Sequence, residues 1–103
     1  MRFNSIYITT EDEDEARRIG RTLVEEKLAA CVNIHPICSI YRWQGEIQEE
    51  GETALLVKTR AELADEVIRR VKELHSYEVP CIVSLPIEKG YLDYLKWIEE
   101  STK

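Results

Sequence analysis

Apolar positions recur with two different periods along this chain of 103 residues. Phe3–Ile8 is rich in β-formers and reads as a first strand. Ala16, Ile19, Gly20, Leu23, Val24 and Leu28 then follow the i, i+3, i+4, i+7 rule, which predicts a helix with one apolar face. Thr10-Glu11-Asp12-Glu13 precedes it and has the form of a capping box, with the Thr10 side chain accepting from an early amide and Glu13 reaching back. The acidic first turn suits the helix dipole. Glu13 and Arg17, and Asp14 and Arg18, fall on its outer side and predict a solvated, ion-paired face.

The period then shortens. Two β-rich arms, Ala30–Trp43 and Glu46–Thr59, flank Gln44-Gly45, and Gly tolerates the positive φ of a tight hairpin turn. Each arm of about 14 residues spans about 46 Å at about 3.3 Å per residue. A compact domain of this length has a radius of gyration near ~13 Å, hence a diameter of about 33 Å. The hairpin is longer than its body. Projecting Ile40, Tyr41, Trp43 and Ile47 into water would leave an apolar edge, so pairing with another copy is the expected answer.

Thr59-Arg60-Ala61-Glu62 has the form of a second capping box, and Leu63, Val67, Val71 and Leu74 make the stripe of a second helix ending before Ser76. Cys81–Ile87 reads as a last core strand between Pro80 and Pro86, and Gly90 opens a terminal helix through Glu99. The order β-α-β-β-α-β plus a helix predicts an α+β, ferredoxin-like antiparallel sheet with a long central hairpin. No linker or repeat interrupts it, so residues 1–103 read as a single domain. In the terminal helix Tyr91, Leu92, Tyr94, Leu95, Trp97 and Ile98 form an apolar arc too wide for one buried face, a second sign of oligomerisation.

Composition narrows the partners. Lys and Arg number 14 against 20 Asp and Glu, a net charge of −6, which opposes a phosphate backbone and argues against nucleic acid. No stretch approaches the ~20 apolar residues of a membrane span, and no secretory signal pattern opens the chain. Three cysteines, an odd number, suit a reducing compartment, so a cytoplasmic protein is expected.

Candidate chemistry is sparse. Cys31, His35, Cys38, His75 and Cys81 invite a metal reading, but Cys31 and His35 lie about 13 Å apart on an extended strand, too far for one ion. Cys38 and Cys81 read as small buried residues. Cys31 and His75 stand at element ends, where a pocket forms more readily. His75, Tyr77 and Glu78 cluster in one rigid turn: either a helix end with His75 beside the last carbonyls, or a titratable site. No serine has a nucleophile motif and no glycine-rich phosphate loop is present, so no catalytic activity is expected.

Five ordered motifs carry a resemblance: Ala29-Ala30-Cys31-Val32-Asn33-Ile34, Tyr41-Arg42-Trp43-Gln44-Gly45, Leu56-Val57-Lys58-Thr59, His75-Ser76-Tyr77-Glu78-Val79-Pro80, and Gly90 with Tyr94-Leu95-Lys96-Trp97. With these the chain closely resembles the CutA family of divalent-cation tolerance proteins. The resemblance implies a ferredoxin-like protomer in a homotrimer built like the PII signalling proteins, with hairpins extending the sheets across subunits. It implies a link to copper tolerance, no catalytic reaction, and no organic cofactor. Copper-binding bacterial members carry a cysteine where this chain has Thr9 and a histidine where it has Leu74; His75 and Cys31 remain. The expectation is weak binding of Cu²⁺ or another divalent cation through His75, with Cys31 or Glu78. A small ion or small ligand is expected in a pocket between subunits, lined by Cys31, Lys58 and His75 together with Tyr77, Glu78, Trp43 and Trp97.

Other functions on this topology lack their residues. A copper chaperone needs M-x-C-x-x-C after the first strand, where Ile8-Thr9-Thr10 stands. An RNA-binding domain needs a basic sheet surface. An acylphosphatase-like hydrolase needs an anion-binding loop where Glu11-Asp12-Glu13 stands. A small-molecule signalling role without metal is the alternative that stays open.

Overall fold

The hydrophobic periods translate directly into elements. The computed structural model describes residues 1–103. Strand β1 (Phe3–Thr10) leads to helix α1 (Glu13–Glu25), then β2 (Cys31–Trp43) and β3 (Glu46–Arg60). A 3₁₀ turn at Ala61–Leu63 enters α2 (Ala64–Leu74), followed by β4 (Ile82–Ile87) and α3 (Leu92–Glu100). The four strands form one sheet in the order β2-β3-β1-β4, antiparallel throughout.

One face of this sheet holds the core. Ile6, Ile8, Leu55 and Val57 point the same way by strand parity and are fully buried. Ile19 and Leu23 of α1 and Val67 and Val71 of α2 close over them. Each such side chain contributes about 1.5–3 kcal/mol by leaving water. Gly20 has a steric reason: a Cβ there would lie 3.1 Å from Val32 Cγ1, a tight approach that Val32 would have to yield to, so glycine eases the close packing of α1 on β2. Val24, expected on the apolar face, is exposed, because the buried stripe of the helix runs through Ala16, Ile19, Gly20 and Leu23.

Both predicted capping boxes are displaced. Thr10 stays in β1 opposite Thr53 and its hydroxyl donates to the Thr53 carbonyl at 2.7 Å. Asp12 caps α1 instead, accepting from the Glu15 amide at 2.9 Å. Ahead of α2 the Thr59 hydroxyl donates inward to the Leu28 carbonyl at 2.6 Å, and no side chain caps the helix. The strand ladder claims both threonines before a cap can use them. Glu13 and Arg17 pair at 2.7 Å as expected, whereas Arg18 turns from Asp14 to the Leu74 carbonyl at 3.1 Å and to Glu15 at 3.7 Å.

The hairpin is regular to its tip. Gln44 (φ 49°) and Gly45 (φ 81°) make the turn, and the ladder runs unbroken from Cys31–Lys58 to Trp43–Glu46. Strand β1 ends opposite Thr53, so Glu46–Glu52 has a partner on one side only. The overhang stretches the molecule to 44 × 25 × 21 Å. On the face away from α1 and α2, only α3 adds cover, and incompletely. Ile98 is buried, while Tyr91, Leu92, Tyr94 and Trp97 are exposed. The last strand, expected in the core, lies at the sheet edge with Val83 and Leu85 about half exposed.

Candidate functional site

The turn after α2 is assembled around His75. Leu74 is the last helical residue, and His75 leaves the helix with extended backbone (φ −81°, ψ 141°). Its side chain is fully buried. Nε2–H donates to the Thr9 carbonyl at 2.8 Å, and Nδ1 accepts the Tyr77 amide at 3.1 Å. This pair of bonds fits the tautomer that carries its proton on Nε2. Of the two readings left open for this turn, the helix-end one placed His75 beside the last carbonyls of α2, whereas the ring turns inward and locks onto the Thr9 carbonyl of β1 instead.

Glu15 secures the lock from α1. It accepts the Glu11 amide at 3.0 Å and the Ser76 amide at 2.7 Å, and lies 3.8 Å from His75 Nδ1. Burial alone would raise its pKa. The hydrogen bonds from Glu11 and Ser76 outweigh burial and hold it below the ordinary carboxylate value.

The lock aims Tyr77 at β3. The Tyr77 hydroxyl donates to Glu52 Oε2 at 2.6 Å, and its ring lies 4.8 Å from the His75 ring. One position further out, Tyr41 of β2 donates to Glu50 Oε1. Burial, then the Glu52 bond, pushes the Tyr77 phenol well above its usual range. The Glu50 bond pushes Tyr41 up to about 12. These residues wall an open groove of about 770 Å³ at the base of the hairpin overhang, with Tyr7 as part of its floor. Its lining includes no Lys, Arg or His.

The expected site residues divide between this groove and elsewhere. Trp43, Tyr77 and Glu78 line it, and His75 stands behind it. Cys31 and Lys58 face each other at the far end of the ladder, where Lys58 donates to Asn33 Oδ1. Burial and then the Cys31 thiol raise the pKa of the Tyr94 hydroxyl, which places α3 beside Cys31. Lys58 and Glu52 are six residues apart on one extended strand, about 20 Å. Within one chain, therefore, Cys31 and Lys58 do not join the His75–Tyr77–Glu78 group. Cys38 and Cys81, expected to be buried, are exposed. Sequence reading missed Glu50, Glu52, Tyr41 and Tyr7 as groove residues. The signal was available, because a two-residue turn at Gln44-Gly45 fixes every cross-strand partner and therefore the face of each residue.

The family model of the CutA1 divalent ion tolerance proteins matches residues 4–101. The chain belongs to the CutA1 family. The divalent-cation tolerance protein CutA of Thermus thermophilus is 53% identical over 98 residues, covering 94% of this chain and 95% of the relative. That of Archaeoglobus fulgidus is 50% identical over 100 residues, covering 97% and 98%. The solved Archaeoglobus structure, described as a periplasmic divalent cation tolerance protein, superposes with a TM-score of 0.96 over 98% of this chain and 99% of its own. CutA1 from Oryza sativa superposes with a TM-score of 0.97 at 40% identity, over 100% and 95%. The expected CutA membership and ferredoxin-like α+β fold both hold.

A family named for divalent ions raises the question of a resident metal. The donors of one chain do not fit one. No three His, Cys, Asp or Glu side chains converge to hold an ion. Both nitrogens of His75 are committed to backbone groups.

Proposed function

We propose that this chain acts as a homotrimeric, non-enzymatic protein of divalent-cation tolerance. Family membership supports the link to divalent ions. The observation that carries the assembly is the overhang of β3. Glu46–Glu52 presents unpaired backbone along one edge, and the uncovered side of α3 presents Tyr94 and Trp97. A solitary chain with a free strand edge and an aromatic patch is poorly suited to water, and further copies resolve both at once. In such a trimer the two halves of the expected site, Cys31 with Lys58 and Trp97, and His75 with Tyr77, Glu78 and Trp43, come from different subunits. A small ion or small ligand then sits at the subunit boundary. Three free cysteines agree with a reducing cytoplasm. No helix is long and apolar enough to cross a membrane.

Copper is the cation to test, because it leads the divalent affinity order at nitrogen and sulfur donors. We expect weak Cu²⁺ binding, since His75 must release the Tyr77 amide or Thr9 carbonyl to ligate. Calorimetric titration of the wild type and of His75→Ala with Cu²⁺ and Zn²⁺ is the experiment. Weak heat with Cu²⁺ exceeding Zn²⁺, diminished in His75→Ala, supports the reading. Equal affinity in both proteins removes His75 from the site. Absence of heat with either ion would favour a metal-free signalling role.

A further inference from the structure

We propose that Lys58 of a second copy pairs with Glu52 and Glu50 at the base of the hairpin, and that this contact fixes how one copy sits against the next. The inference rests on the assembly proposed above and deepens it, because the neighbouring copy then contributes a residue to the groove. It starts from the distribution of charge on one side of the sheet. The ladder of β3 is unbroken from Glu46 to Arg60, so its even-numbered residues share the face turned away from α1 and α2. That face carries Glu46, Glu50 and Glu52 at the hairpin end, and Lys58 and Arg60 at the other.

Neither end finds its counter-charge within the chain. Glu50 and Glu52 take part in no ion pair. Their hydrogen bonds come from the Tyr41 and Tyr77 phenols, which satisfy oxygens but leave the negative charge in place. At the other end Arg60 is taken by Glu62 and Thr102. Lys58 forms no ion pair and donates to the neutral Asn33 side chain. Six residues of extended strand, about 20 Å, separate Lys58 from Glu52, so side-chain motion cannot join them within one chain. A copy laid over this face takes both charges out of water. An acid or an ammonium desolvated alone is strongly unfavourable, whereas a matched pair recovers much of that loss. Opposite charges at opposite ends of one face therefore select the register that sets the base of one sheet on the hairpin end of the next, and like ends repel. Other cations are worse placed. Arg42 points to the other side of the hairpin by strand parity, and Lys72 is held by the Tyr77 and Glu78 carbonyls.

The test is a double-mutant cycle on the intact protein with Lys58→Gln and Glu52→Gln. Association is read from light scattering over a dilution series, and folding from circular dichroism. Gln still offers an oxygen to the Tyr77 hydroxyl, so Glu52→Gln removes the charge and keeps that bond. Each single change is expected to weaken association at least about tenfold, and the double variant no more than the weaker single one. Sites about 20 Å apart in one chain ordinarily give additive effects, so such coupling reports a contact between copies. The same cycle with the exposed Glu50→Gln reads the second acid, and serves where Glu52→Gln loses its fold. Lys96→Gln, an exposed lysine of α3, is the control. Additive effects of Lys58 and the acids, or coupling of the acids to Lys96 in place of Lys58, overturn the proposal while a wild-type trimer leaves the assembly standing. A wild type that runs as a single chain overturns both.

Discussion

Glu15 shows how much of this fold depends on a single side chain. It reads in sequence as one more charge in an acidic helix start. In the fold it joins α1 to the turn after α2 through the Glu11 and Ser76 amides. Replacing it with Ala removes the acceptor of both amides; Glu11 and Ser76 are themselves exposed, so water takes over in part and each lost bond costs about 0.5–1.5 kcal/mol. The pH dependence has a definite sign. The folded pKa lies below the ordinary carboxylate value of about 4.5, so the stabilisation is fully present above about 4.5 and is lost as pH falls through the folded value. Denaturant melts of the wild type should therefore weaken between neutral pH and pH values below about 4.5, and the Glu15→Ala protein should show a shallower decline. Parallel curves would remove Glu15 as an acid-sensitive link. Glu52 is the other residue invisible in sequence. Its acidity is obvious, but its burial depends on Tyr77, which only the His75 lock brings to it.

Element identity was legible because period is a strong signal. The stripe Leu63, Val67, Val71 and the strand alternation of β1 needed no tertiary information. Helix starts were not legible, because the Thr10 and Thr59 hydroxyls each had a competing distant partner, the Thr53 carbonyl in the sheet and the Leu28 carbonyl in the loop before β2. A propensity argument cannot rank a cap against a side-chain bond that forms across 43 residues of chain. The site followed the same rule. Trp43, Tyr77 and Glu78 were recoverable from motifs, but the separation of Cys31 from His75 needed the register of β3. The hairpin turn itself offers a test at this scale. Gln44 adopts φ 49°, a conformation that Asn tolerates better than Gln. Gln44→Asn should raise stability by a few tenths of a kcal/mol to about 1 kcal/mol, read as a higher melting point. A lower melting point would mean that Gln44 makes contacts beyond its own chain.

At the scale of the molecule, what one chain leaves uncovered is as informative as what it buries. The core under α1 and α2 is complete, with Ile6, Ile8, Leu55 and Val57 sealed. The opposite face carries a part-covered helix, an edge strand with Val83 and Leu85 exposed, and an overhanging ladder. Tyr94 and Trp97, with ring centroids 5.6 Å apart, are the natural anchors of a contact between copies. Trp97→Ala should disrupt assembly, at a cost of about 2–4 kcal/mol for an anchor residue, while leaving the core intact. Sedimentation velocity combined with circular dichroism separates these effects. A mutant of unchanged size and melting point would place Trp97 on a free surface.

Three copies of the chain are expected to cover this open face. Light scattering on a size-exclusion column, over a wide dilution series at neutral pH, tests it directly. Three chains of 12.0 kDa predict a particle of about 36 kDa that persists on dilution to micromolar concentration. A particle of 12.0 kDa at that concentration would contradict the account, because the overhang and the aromatic face would then stand in water without a partner.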